Sequence, residues 1–347
     1  MATIAPVATS IAAFVGLAQA GPFDSPTAIA SFAAYLAAFG PLNVSSELGF
    51  AVQQFFLNGG ARCYVVRVQT VSAQSLDALD AVPLFNLLCL PGVYDRALLS
   101  AAAAYCVKRR AFLIADCDPR AGTPELLVAT MKQPGLEHGE SAAVYGPWLQ
   151  IRDPLNPGQS RTVAPSGSVA GVYAQTDLSR GVWTAPAGLN AAIMGAEGLV
   201  FSATDLETAE LLEAGLNPIR QLPAGGIVVW GARTLAGAGS QHQYVPVRRL
   251  LLFLEQSIIA GTEWARLVAN TPALWASVRL EVQQFLQQMF QQGALRGASA
   301  SEAYFVSCDQ TTMTAEDIQE GRLVIVIGVA AAEPAQFVVI RIQQMTA

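Results

Sequence analysis

The first two thirds of the chain alternate between stretches with helical spacing of apolar residues and short apolar runs bounded by turn residues. Such alternation of helix and strand predicts an α/β layer within a mixed α+β fold. The predicted elements, in chain order, are the strand Ile11–Leu17, the helix Ser31–Phe39, a helix from about Ser46 to Leu57, the strand Cys63–Val68, the strand and turn Pro83–Gly92, the helix Ala97–Lys108, the strand Ala111–Asp116 and the strand Gly225–Gly231.

Two other regions differ from this pattern. Residues 152–188 are richer in Pro, Gly and Ser, which predicts loops and short strands lying over the layer. Beyond residue 244 the pattern predicts two helices and two apolar strands. They are the helix Val247–Ala260, the helix Pro272–Gln292 with Thr271 as its N-cap, and the strands Leu323–Val329 and Phe337–Ile342.

A chain of 347 residues is long enough for two domains, each with its own core. We therefore predict two domains with an extended strand arm at each end of the chain. The predicted boundaries are residues 1–20 for the N-terminal strand arm, 21–243 for an outer α/β domain, 244–335 for a C-terminal core domain and 336–347 for the C-terminal strand arm.

The two end strands are strongly apolar, and an exposed edge of such a strand promotes aggregation. Each must therefore pair with another strand, either in the chain's own sheets or in a neighbouring copy of the chain. In the second case Gly21, Pro22 and Pro334 act as hinges. In the same case the residues that pair with a neighbouring subunit are Ile11, Ala13, Val15, Leu17, Phe337, Val338, Val339, Ile340 and Ile342.

The helix Pro272–Gln292 has an almost uncharged polar face. Its apolar stripe lies opposite six glutamines between residues 283 and 292. An exposed helix commonly uses pairs of Glu and Lys on its surface, so a glutamine face favours reversible contact with another protein. The residues predicted to make this contact are Gln284, Gln287, Gln288 and Gln291. An ordinary solvated face is the alternative.

Composition favours a surface that is covered by protein. Charged residues make up 13% of the chain and apolar residues 52%, with a mean hydropathy of +0.39, whereas soluble globular proteins have roughly 25% charged residues. The apolar run Leu323–Ala332 is about half as long as a membrane span. We therefore predict extensive protein interfaces and no membrane insertion.

The segment Thr3–Phe23 is uncharged and ends like a signal peptide, at Ala18-Gln19-Ala20, but no positive residue precedes it. We therefore predict assembly in the cytoplasm without a signal peptide. Five cysteines in apolar surroundings, with no CxxC pair, predict buried thiols in a reducing compartment. A net charge of −6 without a basic cluster argues against a nucleic-acid partner.

No catalytic, cofactor or metal motif is recognisable in the sequence. The two histidines, His138 and His242, lie in separate polar segments, each without a second strong ligand at metal-binding spacing. Acidic residues such as Asp116 and Asp118 are explained by loops and helix starts. We predict no metal, no cofactor and no enzymatic activity. The alternative is an α/β enzyme, which a convergent polar site would identify.

Blocks along nearly the whole chain resemble, in the same order, the contractile phage tail-sheath family, and the length is similar to the compact sheaths of phage-tail-like injection particles. The segment after Trp264, Arg266–Thr271, departs from the family pattern. The blocks that carry the resemblance are Gly21–Gly40, Phe55–Gly60, Tyr64–Val68, Tyr145–Leu149, Pro165–Gly167, Ala170–Tyr173, Trp183–Gly188, Leu216–Arg220, Val229–Leu235, Val247–Leu250, Gly293–Gly297, Cys308-Asp309 and Thr311–Thr314.

The resemblance implies a subunit that forms stacked hexameric rings around an inner tube and contracts to drive that tube through a target envelope. It implies strand pairing between neighbouring copies, and further partners in baseplate and terminal cap proteins. The C-terminal core domain would face the tube, with the four glutamines as contacts. The expected location is a phage tail or tail-like particle. The alternatives are a true phage tail or R-type bacteriocin, and a non-contractile shell or cap.

Overall fold

The computed structural model describes residues 3–132, 136–223, 226–331 and 337–346, with the backbone alone for Phe337. These residues form two compact units. The larger unit is Thr9–Arg248, and the smaller unit combines Met1–Ala8 with Arg249–Ala347. The division falls within one helix, Val245–Gly261, close to the sequence-based boundary at residue 243.

The helices, in chain order, are α1 Phe32–Phe39, α2 Leu48–Leu57, α3 Arg96–Arg109, α4 Pro124–Met131, α5 Ser166–Arg180, α6 Asp205–Glu213, α7 Val245–Gly261, α8 Pro272–Gln291, α9 Ala300–Ala303 and α10 Ala315–Gln319. The strands are β1 Ala12–Gly16, β2 Thr27–Ile29, β3 Cys63–Arg67, β4 Leu87–Cys89, β5 Phe112–Asp116, β6 Ala142–Gly146, β7 Leu149–Arg152, β8 Ser160–Val163, β9 Ala196–Leu199, β10 Leu216–Leu222, β11 Gly226–Val229, β12 Tyr304–Ser307, β13 Arg322–Ala330 and β14 Phe337–Met345. Three 3₁₀ helices cover Ala73–Ala81, Gly139–Ser141 and Glu263–Leu267.

The larger unit is built on an eight-stranded sheet with the order β11-β10-β6-β5-β4-β1-β3-β2. The six inner strands pair in parallel, and β2 and β11 pair antiparallel at the two edges. Parallel neighbours need crossover connections, usually helices, which explains the alternating pattern of this part of the sequence. The predicted α/β layer is confirmed. A second, antiparallel sheet of the same unit has the order β8-β7-β9.

The expectation of loops and short strands across residues 152–188 is wrong for the central part, which forms α5. This helix packs against α2 through glycines. A Cβ atom on Gly167 would collide with the carbonyl oxygen of Ala51, and one on Gly171 would lie 2.6 Å from that of Phe55. The small residues of α5 therefore permit close contact between two helices, whereas composition alone associates them with turns.

The smaller unit contains most of α7, the long helix α8 and an antiparallel sheet in the order β12-β13-β14. The predicted apolar stripe of α8 is buried, including Val278, Val282 and Phe285. The chain's N-terminal residues belong to this unit as well. Ile4 is buried against Gly261, where a Cβ atom would lie 2.7 Å from Cγ1 of Ile4. Ile4 is therefore held by apolar contact within its own chain.

Candidate assembly surfaces

The N-terminal strand lies inside the large sheet and has no free edge. On one side β1 pairs with β3, placing Ala12 opposite Cys63, and on the other it pairs with β4, placing Ala12 opposite Leu87. All five residues of β1 are buried. A strand with both edges hydrogen-bonded cannot accept a third strand.

The prediction that Ile11, Ala13 and Val15 pair with a neighbouring subunit is therefore wrong. All three side chains are at most 4% exposed within the chain's own core. Leu17 lies beyond the end of β1 and is 43% exposed. Its carbonyl oxygen accepts a hydrogen bond from Oγ of Ser46 at 2.6 Å, so the backbone at Leu17 is also tied to the larger unit.

The predicted hinge at Gly21 and Pro22 is also wrong. The segment joins β1 to β2, and both strands flank β3 in the same sheet. Nη1 of Arg67 donates a hydrogen bond to the carbonyl oxygen of Gly21 at 2.7 Å, and the Arg67 guanidinium stacks 3.9 Å from the ring centroid of Phe23. Gly21 adopts φ +92°, which only glycine takes readily. The segment is a fixed turn.

The C-terminal strand β14 lies at the edge of its sheet. It pairs with β13 over nine residues, from Ala330 opposite Phe337 to Arg322 opposite Met345. Among the described residues no strand pairs with its other edge. The strand's inward side chains are Val338, Ile340 and Ile342, which are buried, whereas Val339 is 58% exposed. The predicted hinge Pro334 and the side chain of Phe337 lie outside the described residues.

Polar contacts hold the end of β14 in place within the smaller unit. Nε2 of Gln344 donates to Oγ1 of Thr262 at 2.8 Å and to the carbonyl oxygen of Ile259 at 3.2 Å. Oγ1 of Thr346 donates to the carbonyl oxygen of Gly321 at 2.8 Å. In the described residues β14 therefore pairs with β13 of its own chain. This agrees with the first of the two alternatives that the sequence left open, which is pairing within the chain's own sheets.

The sheet β12-β13-β14 presents an apolar row that the sequence analysis missed. Phe305, Gly328 and Val339 are opposite one another on the three strands. A Cβ atom on Gly328 would collide with the Phe305 ring, so this ring lies across the glycine. Phe305 and Val339 are 39% and 58% exposed. The signal was the glycine inside an apolar strand, which often marks a close approach of another group.

The exposed face of α8 carries no charge. The helix has two charged residues, and both are used inside the unit: Nη1 of Arg279 donates to the carbonyl oxygen of Cys308 at 3.0 Å, and Oε2 of Glu281 accepts from Nε1 of Trp264 at 3.0 Å. The exposed residues of α8 are Pro272, Ala273, Ala276, Leu280, Gln284, Gln288 and Gln291. These residues form the α8 face.

One of the four predicted contact residues differs from the others. Gln287 is only partly exposed, and its Oε1 accepts a hydrogen bond from the hydroxyl of Tyr304 at 2.8 Å. Gln284, Gln288 and Gln291 lie on the exposed side. The structure therefore brings three of the predicted glutamines together on the α8 face and gives the fourth a structural hydrogen bond.

The raised pKa of Asp116 has a structural explanation. Asp116 is buried at the end of β5, and its carboxylate accepts hydrogen bonds from the N–H of Gly92 at 2.9 Å and from the N–H and hydroxyl of Ser166 at 2.7 and 2.9 Å. Burial raises the pKa of Asp116 to about 7. The contact with Ser166 satisfies a free N–H at the start of α5.

The cysteines, the possible metal ligands and the helices add three findings. All five cysteines are buried as free thiols, which confirms the expectation of buried thiols, and burial raises the pKa of each one. In the part of the chain that the structure describes, no three or more His, Cys, Asp or Glu residues are arranged to hold a metal ion. No described helix is both long and apolar enough to cross a bilayer.

Two family models match this chain in succession. The first, the phage tail sheath protein central domain, matches residues 70–235, and the second, the phage tail sheath C-terminal domain, matches residues 238–345.

Solved structures match almost the whole chain. A sheath complex of PVC, an extracellular contractile injection system, in its contracted state is 31% identical with a TM-score of 0.82, covering 99% of this chain and 94% of that chain. The baseplate structure of the anti-feeding prophage contains a chain that is 29% identical with a TM-score of 0.79, covering 99% of this chain and 96% of that one.

The tail sheath protein of Vibrio phage KVP40 is 26% identical over 183 residues, which cover 52% of this chain and 26% of that protein. This chain therefore spans about a quarter of the length of that relative. The fold and the matched models define a structural protein of the tail-sheath class. The chain belongs to the phage tail sheath family.

Proposed function

We propose that this chain is the repeating subunit of a contractile sheath that forms stacked hexameric rings around an inner tube and shortens to drive the tube through a target envelope. The observation that carries this proposal is the match of 99% of the chain to a sheath in its contracted state. The role is mechanical, with no enzymatic activity and no cofactor. Assembly takes place in the cytoplasm, and baseplate and terminal cap proteins bind the two ends of the sheath.

The subunits are joined, in this proposal, through β14. This strand is the last in its sheet, and its nine-residue register with β13 is set by main-chain hydrogen bonds and by Val338, Ile340 and Ile342. A β14 from a neighbouring copy has the same sequence and can take the same register. Exchange of an identical element joins two subunits without loss of contacts.

The inner tube contacts the α8 face. The exposed residues of this face are uncharged, while Arg279 and Glu281 are turned inward. Contacts made by amide side chains without ion pairs have no buried charge to leave unpaired when they separate. A sheath that shortens must release the tube at every ring, so this chemistry suits Gln284, Gln288 and Gln291.

Contraction needs an energy source, and the proposal places it in assembly. The extended sheath is a metastable state, trapped by contacts with tube and baseplate, and contraction buries more surface between subunits. Calorimetry of extended and contracted particles tests this point. We expect heating to convert the extended form into the contracted form at a temperature below that at which the subunits unfold. An extended form that survives to the higher temperature would contradict the proposal.

Electron microscopy of the purified protein tests the function itself. We expect hollow tubes of stacked six-membered rings, formed by the protein alone or around added tube protein. Closed shells would indicate a capsid-like assembly. A homogeneous population of monomers under all assembly conditions would contradict the sheath proposal.

A further inference from the structure

Both histidines of the chain line a single pocket of the larger unit. The pocket has a volume of about 390 Å³. Its polar lining includes His138, Glu140, Ser240, His242 and Arg248. The two histidines lie in separate polar segments far apart in the chain, so their convergence on one pocket is a finding of the fold.

Backbone contacts between two segments build this pocket. The N–H of Leu235 donates to the carbonyl oxygens of Gly139 and Ala142, both at 3.0 Å. Gly139 leaves no room for a side chain, since a Cβ atom would lie 2.5 Å from the Leu235 carbonyl oxygen. Oγ1 of Thr234 then donates to the carbonyl oxygen of His242 at 2.6 Å. These contacts bring the segment around residue 242 against residues 138–140.

The pocket contains one carboxylate and three groups that are or can become cations. Nδ1 of His138 lies 3.7 Å from Oε1 of Glu140, and the Arg248 guanidinium donates to Oγ of Ser141 at 3.2 Å. Nδ1 of His242 is buried and has no hydrogen-bond partner among the described residues. Burial lowers the pKa of His242, the nearby Arg248 lowers it further, and Glu140 raises it.

These groups argue against a metal ion as the ligand and favour an anion. The described residues provide no group of three or more His, Cys, Asp or Glu that could hold a metal ion. Imidazolium and guanidinium groups are hydrogen-bond donors only, and they pair with carboxylate, sulfate or phosphate oxygens. When His242 is protonated, His242 and Arg248 outnumber Glu140, so the net charge of the pocket becomes positive.

We propose that this pocket is an acid-dependent oxyanion site in which His138, His242 and Arg248 bind a sulfate-like, phosphate-like or carboxylate group. The oxyanion comes either from solution or from a carboxylate side chain of a second copy of the chain. The site goes beyond the sheath function. Its first test uses the isolated subunit, so failure of that test leaves the sheath proposal intact.

The direction of the pH dependence follows from linkage. An anion that binds the protonated form of His242 raises the pKa of that residue, and by reciprocity protonation tightens anion binding. An unperturbed histidine has a pKa near 6.5, and burial together with Arg248 holds the pKa of His242 below this value. Affinity for the anion should therefore rise as the pH falls from 7.5 to 5.5, by about tenfold or more.

The first experiment is an NMR titration of the untagged subunit with sodium sulfate, which stays fully ionised across this pH range. The chain has two histidines and so gives two sets of imidazole signals, which His138→Gln and His242→Gln assign. We expect saturable shifts of both at pH 5.5 and about tenfold weaker binding at pH 7.5. Sodium chloride at the same ionic strength is the control. Non-saturable shifts, equal shifts with chloride, or pH-independent binding would overturn the proposal.

Variants of Arg248 and His242 test, in the same titration, whether these cationic groups bind sulfate. Arg248→Gln should weaken sulfate binding by about tenfold or more, and Arg248→Lys should restore part of it. Should Arg248→Gln not fold, His242→Gln serves instead, since the ring is partly exposed, and the remaining His138 signal should lose most of its response. An unchanged response in the variant would overturn the proposal.

A second experiment identifies the source of the oxyanion. Diethylpyrocarbonate modifies neutral imidazoles, and peptide mapping by mass spectrometry reads His138 and His242 separately. Protection in assembled tubes without sulfate, lost on disassembly, indicates that a second copy of the chain occupies the pocket. Protection of the isolated subunit by sulfate alone identifies an ion from solution. Modification at the same rate under all of these conditions would contradict an oxyanion at this pocket.

Discussion

The strands β1 and β14 stand near opposite ends of the chain, and both are rich in apolar residues, but they occupy opposite positions in their sheets. β1 has a neighbour on each side and all five residues are buried. β14 has one neighbour, and its side chains alternate between buried Ile340 and exposed residues such as Val339. An apolar strand must be covered, but its composition does not decide whether a second chain covers it.

The sequence carried a signal for this difference. In β1 the alternate positions Ala12, Phe14 and Gly16 are also without polar groups, which is typical of a strand covered on both faces. In β14 the residues Arg341 and Gln343 alternate with the apolar ones, which is typical of a strand with one open face. The interior strand is therefore expected to determine folding, and the edge strand to determine assembly.

The largest expected effect is a loss of stability from a cavity in β1. Phe14 is fully buried, with its ring centroid 5.4 Å from that of Phe55. We expect Phe14→Ala to lower the free energy of unfolding of the larger unit by about 3–5 kcal/mol, measured by urea denaturation. The matched change on the edge strand, Val339→Ala, should cost less than about 0.5 kcal/mol because this side chain is exposed. Equal losses of stability in the two variants would contradict the different roles of β1 and β14.

The second prediction concerns the carboxyl end of β5 in the same large sheet. Because burial raises the pKa of Asp116 to about 7 in the folded state, its contribution to stability is fully present below about pH 4 and is lost as the pH rises through 7. Relative to Asp116→Asn, the wild-type chain should lose up to about 4 kcal/mol between pH 4 and pH 8. Parallel pH profiles of the two proteins in urea denaturation would contradict this.

The third prediction separates assembly from stability. Gln284→Glu with Gln288→Glu adds charge to the exposed α8 face, so we expect subunit stability to change by less than about 0.5 kcal/mol. Binding to the inner tube should be lost, as judged by co-sedimentation. The matched control is Gln310→Glu with Gln319→Glu, two exposed glutamines of the same unit that are not part of α8. Tube binding that survives the first pair, or fails equally with the second, would remove the α8 face from the interface.

Periodicity predicted the helices α1, α2, α3 and α8 and the α/β layer from sequence, because each is a local pattern of burial. It failed for α5, because Gly167 and Gly171 permit close contact with α2 and do not mark a turn. It also failed for the roles of β1 and of Gly21, since strand order is set by contacts with distant residues such as Arg67. The charge pattern of the α8 face was visible, but the inward turn of Arg279 and Glu281 depends on tertiary contacts.

The most direct test of the account is a disulfide between β13 and β14 made in assembled sheath. Val326 and Arg341 are opposite each other in the register, and partners in an antiparallel pair lie within disulfide range. The variant carries Val326→Cys and Arg341→Cys, and the five native cysteines are buried and do not compete. In the isolated subunit, oxidation should give a monomer with an internal disulfide. Oxidised sheath should give covalent multimers on a non-reducing gel if β14 exchanges between copies, whereas monomers alone would contradict strand exchange as the link between subunits.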